Sequence, residues 1–169
     1  MVRKTLDVAR SRYTTLLLGL VSLAAVVVLS GCTAEVNAEL KTYAGVNAIR
    51  AAHGLPPLTP AKGLVDVARI RSQDMAARNY FSHNPPDGCN YLCLMDRLGV
   101  PHAWAGENIA WNTFDWAQTA DVAVEMWKNS PPHLENILNC HFERFGSGVV
   151  RAPDGRVYYT MVFEGNRAC

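Results

Sequence analysis

Two periodicities alternate along the chain. From about Glu39 to His53, Leu40, Ala44, Ala48 and Ala51 recur at helical spacing, with Tyr43 and Asn47 beside them. Gly54 stands where a glycine C-cap belongs, and Pro56-Pro57 forbid continuation. A second helical stripe, Leu64, Ala68, Ser72, Met75 and Asn79, predicts a helix over about 60–79, with residues small enough for close packing. Residues 83–93, His-Asn-Pro-Pro-Asp-Gly-Cys-Asn-Tyr-Leu-Cys, are turn chemistry, followed by a short helix over about 92–98. Residues 104–111, WAGENIAW, read as a strand. Asp115 with Gln118 three residues on predicts a capping box and a helix whose buried stripe is Ala117, Ala120, Val124 and Trp127. Pro131 and Pro132 suit the first turn of another short helix. The end is β: residues 146–151 and 156–165 flank Ala152-Pro153-Asp154-Gly155, a hairpin turn. In the last strand Val157, Tyr159, Met161 and Phe163 share one face, and Tyr158, Thr160 and Val162 the other. Both faces are mainly apolar, so both are expected to be covered. These elements predict an α+β fold, a mostly antiparallel sheet between two helical layers.

One position breaks the pattern. Glu107 lies on a strand face with Ala105, Ile109 and Trp111. A buried carboxylate without partners is expensive, so partners must come from elsewhere in the chain. His83, just past the second helix, and His133, opening the short helix after Trp127, lie in no apolar stripe. Imidazole is both a common carboxylate partner and a metal ligand. His53, His102 and His141 read as helix-end, rim and loop residues, and Trp111, Trp116 and Trp127 as core.

The ends and the composition add a location. Arg3, Lys4, Arg10 and Arg12 precede an uncharged run of 14 residues, 16–29. A basic head and a short apolar run form a secretory signal pattern, and a membrane-spanning helix needs about 20 residues. Leu29-Ser30-Gly31-Cys32 resembles a bacterial lipobox, which implies cleavage before Cys32 and lipid attachment there. The expected organisation is a signal peptide over 1–31, a tether over 32–38 and a folded domain over 39–169. An extracytoplasmic, membrane-anchored protein follows. The mature part carries 12 basic and 14 acidic residues, and no basic stripe argues for a nucleic-acid partner. With Cys32 lipidated, Cys89, Cys93, Cys140 and Cys169 remain, an even number that suggests two disulfides among three possible pairings. Cys89–Cys93 as a local loop and Cys140–Cys169 as a clamp on the C-terminus are the favoured pairs. A metal site on Cys89-x3-Cys93 is the rival.

Six segments occur in order: residues 46–58 (VNAIRAAHGLPPL), 80–83 (YFSH), 106–111 (GENIAW), 126–138 (MWKNSPPHLENIL), 145–150 (FGSGVV) and 158–163 (YYTMVF). Together they resemble the CAP superfamily of cysteine-rich secretory, antigen 5 and pathogenesis-related 1 proteins, and in particular its bacterial branch. The resemblance implies an α-β-α sandwich with a central cleft. By motif, His83 and His133 match the cleft histidines and Glu107 the cleft carboxylate. Ser130 stands where many eukaryotic members have a second glutamate. Pro132 and Leu134 replace the usual glycine and arginine around the second histidine. The implied role is a non-catalytic binding module for a small lipid or sterol, with a cleft able to hold Zn²⁺ or another divalent cation. The alternative is a hydrolase using His83, Glu107, Ser130 and His133. No H-E-x-x-H helix or G-x-S-x-G elbow supports it.

Overall fold

One helix lies directly on sheet backbone. In the computed structural model, which describes residues 33–169, helix α2 (Lys62–Arg78) crosses strand β3 (Arg144–Arg151) at Gly146 and Gly148. A methyl group added at Gly148 would lie 2.3 Å from the Ala68 carbonyl carbon, and one at Gly146 2.1 Å from that of Leu64. Only glycine permits this approach. Of the α2 stripe read from sequence, Leu64, Ala68, Ser72 and Met75 are buried, whereas Asn79 is exposed and forms the left-handed C-cap. Ser72 donates to the Gly148 carbonyl at 2.8 Å and lies 2.9 Å from Thr160 Oγ1, so the tight seam carries no orphaned polar group.

The remaining elements follow in chain order. The described part of α1 covers residues 33–52. A two-residue strand β1 (Thr59–Pro60) precedes α2, and α3 (Tyr91–Arg97), β2 (Trp104–Asn112), α4 (Thr119–Lys128) and α5 (Pro131–Leu138) come between α2 and β3. β4 (Val157–Gly165) closes the hairpin. The sheet order is β1-β3-β4-β2, with β1 parallel to β3 and the other pairs antiparallel. β2 is therefore a nine-residue edge strand. One sheet face packs on α2 and α3 through Leu64, Val67, Met95 and Val162, and through Met75, Ile109 and Tyr158. The opposite face packs on α1, α4 and α5 through Val46, Ile49, Ala123, Trp127 and Ile137 against Tyr159, Met161 and Phe163. The three-layer α-β-α sandwich is thus present in the unit Glu35–Cys169.

Four expectations change. Residues 33–38 are helical rather than an irregular tether. On α1 the Leu40, Ala44, Ala48 and Ala51 stripe faces outward. The buried face is Ala38, Thr42, Val46 and Ile49, together with Glu39 and Arg50. These two charges misdirect a purely apolar reading because each has partners. Glu39 takes two bonds from Arg69, at 2.8 and 2.6 Å, and Arg50 donates to the Ile137 and Asn139 carbonyls at the end of α5. Third, Asp115 does not cap α4. Its carbonyl accepts from Gln118 and Thr119 in a preceding turn, and the helix starts at Thr119. Fourth, β1 was not visible in the sequence. Pairing through Thr59 and Ala61 alone is too short to show a period.

Cys89–Cys93 and Cys140–Cys169 are disulfides, so the rival metal reading of Cys89-x3-Cys93 falls away. The first closes the turn leading into α3. The second ties the C-terminus to the loop after α5. No helix among the described residues is long and apolar enough to cross a membrane. The signal run and Cys32 lie outside the described residues.

Replacing Gly148 by alanine forces α2 off β3. We expect a loss of about 1–3 kcal/mol or more, read as a lower urea midpoint with an unchanged slope.

Candidate functional site

Glu107 is buried on the α2 side of β2, and its partners come from α2 and the loop that follows. Arg71 Nε donates to Oε1 at 2.8 Å, and His83 Nδ1 lies 2.6 Å from Oε2. Both carboxylate oxygens are therefore engaged. The Arg71 and Glu107 side chains are 1% and 0% exposed, whereas His83 is 49% exposed. Burial pulls the Arg71 guanidinium down, but hydrogen bonding and attraction to Glu107 outweigh it, and the guanidinium stays above its ordinary value. Arg71 also donates to Tyr80 Oη and to the Ser82 carbonyl, each at 2.7 Å. Tyr80 in turn donates to Asp74 Oδ2. One guanidinium thus clamps β2, the tyrosine after α2 and the residue before His83.

Arg71 was missed in the sequence, although a signal was present. Leu64, Ala68, Arg71 and Met75 form one helical stripe, and a cation within a core stripe marks a buried ion pair. The expectation that two imidazoles neutralise Glu107 is corrected accordingly. The principal counter-charge is Arg71, with His83 on the second oxygen.

His133 reaches the same place from the opposite layer. Its ring centroid lies 6.5 Å from that of His83. It does not bond Glu107. Its Nδ1 is 2.8 Å from Ser130 Oγ, and its carbonyl accepts from Asn108 at 2.9 Å. Asn136 donates to Asn108 Oδ1 at 2.8 Å and to the Glu107 carbonyl at 3.3 Å, pinning α5 to the β2 edge. Asn108 and Asn136 were also missed, since an asparagine on a strand or a short helix carries no period. Burial and the nearby His83 lower the His133 pKa from its ordinary value, which favours the neutral ring.

Both histidines are held at Nδ1. Glu107 stands behind His83 as its orienting partner, with its side chain fully buried. His83, Glu107 and His133 do not form a three-ligand cluster as they stand. Among the described residues that description fits Cys140, His141 and Cys169, whose sulfurs are bonded to each other. His53, His102 and His141 bond backbone carbonyls through Nδ1, and His141 stacks on Trp104 at 4.0 Å.

Beside His133 a groove of about 510 Å³ is lined by Phe81, Ile109, Trp111, Met126, Trp127 and Ser130. Trp127 is core, and its Nε1 donates to the Ile109 carbonyl at 3.1 Å. Trp111, expected in the core, is 38% exposed on the groove rim.

Replacing Arg71 by methionine leaves Glu107 charged and buried. We expect a loss of about 3–5 kcal/mol near neutral pH, partly restored by adding Glu107→Gln. Denaturant unfolding of the three variants measures the coupling.

Comparison with known proteins gives a consistent picture. The model of the cysteine-rich secretory protein family (CAP) matches residues 43–163. The uncharacterized protein YkwD of Bacillus subtilis is 38% identical over 114 residues, which is 68% of this chain and 43% of that protein. The uncharacterized membrane protein YlbC of the same organism is 40% identical over 120 residues, 69% of this chain and 31% of that protein. The chain therefore spans less than half the length of these relatives. A crystal structure of an extracellular SCP-domain protein from Bacillus anthracis superposes with a TM-score of 0.68 at 32% identity, covering 78% of this chain and 41% of that one. With most of its length matched by the family model, the chain belongs to the cysteine-rich secretory protein (CAP) family.

Proposed function

We propose that the protein is an extracytoplasmic binding module, lipid-anchored at Cys32, whose His83/His133 cleft takes a divalent cation or a small apolar ligand. The observation that carries this reading is the pair of imidazoles, each held at Nδ1 and with ring centroids 6.5 Å apart. A carboxylate behind a ligating histidine fixes its tautomer and strengthens it as a donor. A neutral His133 suits the same purpose, because only the unprotonated ring binds metal. His83 and His133 would hold the cation, and water would complete its shell. The cation would supply positive charge and Lewis acidity there. The adjoining groove offers apolar surface to a lipid-like ligand. The leader pattern, the two disulfides and the descriptions of relatives as extracellular or membrane proteins support the location.

Titration calorimetry with Zn²⁺ tests the cleft. One ion per chain is expected, with affinity reduced at least tenfold by His133→Ala and about 10–100-fold by Glu107→Gln. Because His133 resists protonation, its contribution should persist until the pH falls clearly below 6.5. Equal Zn²⁺ binding by wild type and both variants removes the metal reading.

A second reading, a hydrolase, rests on the 2.8 Å contact between Ser130 Oγ and His133 Nδ1, a nucleophile–base pair. Turnover of peptide or ester panels that Ser130→Ala abolishes, with Zn²⁺ affinity kept, would establish it. Inactivity of the wild type across those panels would dismiss it.

A further inference from the structure

The end of the sheet farthest from Trp104 gathers the start of α1, the end of β3 and the chain that leaves β2. Asn112, Val157 and Arg151 stand in one row across the sheet there. Arg151 ties α1 and the segment after β2 to that row. Its N–H donates to Glu35 Oε1 at 3.2 Å, and its Nη2 donates to the Phe114 carbonyl at 2.9 Å. Its guanidinium lies 4.4 Å from the Trp116 ring centroid. Arg151 makes no ion pair among the described residues, and its Nε has no hydrogen-bond partner there. Beside these residues Phe114 is 48% exposed, Val36 42% and Trp111 38%. Asp154 is paired with Arg156, and Asp115 is exposed next to Phe114. Apolar contact rather than net charge must therefore hold any partner at this end.

Chain length decides what that partner is. Cys32, the lipid-bearing residue of the proposed anchor, comes three residues before Glu35. An extended chain covers at most about 3.6 Å per residue, so the two α-carbons lie within about 11 Å of each other. The headgroup layer of a bilayer is itself about 5–7 Å deep. No long tether can then hold Glu35, and the surface that Arg151 ties to it, away from the membrane. We infer that this end of the domain is a lipid-facing surface, with Val36, Phe114 and Trp116 among the headgroups and Arg151 against a lipid phosphate. Aromatic and aliphatic side chains beside a cation suit a bilayer interface, and a guanidinium matches phosphate oxygens. The inference rests on the lipid-anchor reading and adds a fixed orientation to it. Trp104 and Trp111 lie at opposite ends of β2, about 23 Å apart. The orientation turns Trp111, on the groove rim, toward the membrane and Trp104 away from it.

The two indoles provide the test. The full chain is labelled with fluorotryptophan in a bacterial host that acylates lipoproteins, then reconstituted in vesicles of phosphatidylethanolamine and phosphatidylglycerol. Mass spectrometry reads the acyl mass on Cys32. A lipid with a nitroxide headgroup is added, and the fluorine resonances are assigned by replacing each tryptophan in turn with phenylalanine. We expect Trp111 and Trp116 to broaden at least fivefold more than Trp104. In Phe114→Glu that ratio should fall at least twofold with the acyl mass unchanged. Equal broadening of Trp104 and Trp111 in the acylated chain, or stronger broadening of Trp104, overturns the inference and leaves the anchor intact. An unchanged ratio in Phe114→Glu overturns it too. A chain with no acyl group on Cys32 overturns the anchor reading, and this inference with it.

Discussion

A charge that cannot reach water must be met inside, and the buried Arg71–Glu107 pair imposes that condition on the whole domain. Taking both ions out of water costs several kcal/mol each, so the guanidinium fork must find acceptors on several segments. It finds them on β2, on Tyr80 and at the Ser82 carbonyl. That requirement fixes the rotation of α2, the path of residues 79–83 and the face of β2 that turns inward. The glycines of β3 belong to the same constraint. Without the close approach at Gly146 and Gly148, α2 would stand farther from the sheet, beyond the reach of Arg71 to a carboxylate on β2.

The site follows from where β2 lies. An edge strand is reachable from both layers at once, and each layer supplies one histidine. His83 comes on the loop that Arg71 clamps and is backed by a carboxylate. His133 comes at the start of α5, is backed by a hydroxyl and is locked through Asn108 and Asn136. His83 is therefore oriented by the strand and His133 by the residue that precedes its own helix, and the two ring centroids lie 6.5 Å apart. The groups that hold the rings are buried or hydrogen-bonded, whereas His83 itself is half-exposed.

Much of this was legible in the sequence. The α2 stripe, the final hairpin and the two-faced last strand carry strong periods, and each appears where it was read. Of the motif positions, His83 bonds Glu107, and the His133 ring lies 6.5 Å from that of His83. What the sequence concealed was polar burial. On α1 the alanines look like a core stripe, yet Glu39, Thr42 and Arg50 occupy the inner face because partners 30 or more residues away satisfy them. Arg71 was hidden for the same reason. Periodicity ranks residues by their aversion to water, whereas an ion pair cancels that ranking through a contact that sequence spacing does not encode. Trp111 shows the converse. A large indole at the end of an edge strand has no neighbouring strand to cover it, so its hydrophobicity predicts burial that the topology withholds.

The capping of β2 follows from which elements reach it. α5 sends Asn136 to the Glu107 carbonyl, and α4 sends Trp127 to the Ile109 carbonyl, so the edge is closed where the histidines need a fixed floor. At the far end of the strand Asn112 donates to the Thr119 carbonyl and accepts from the Thr119 hydroxyl, so the start of α4 holds that end as well. The helical layer that carries His133 thus also closes the edge of the strand that carries Glu107, so the position of the second ring and the burial of the carboxylate depend on the same contacts.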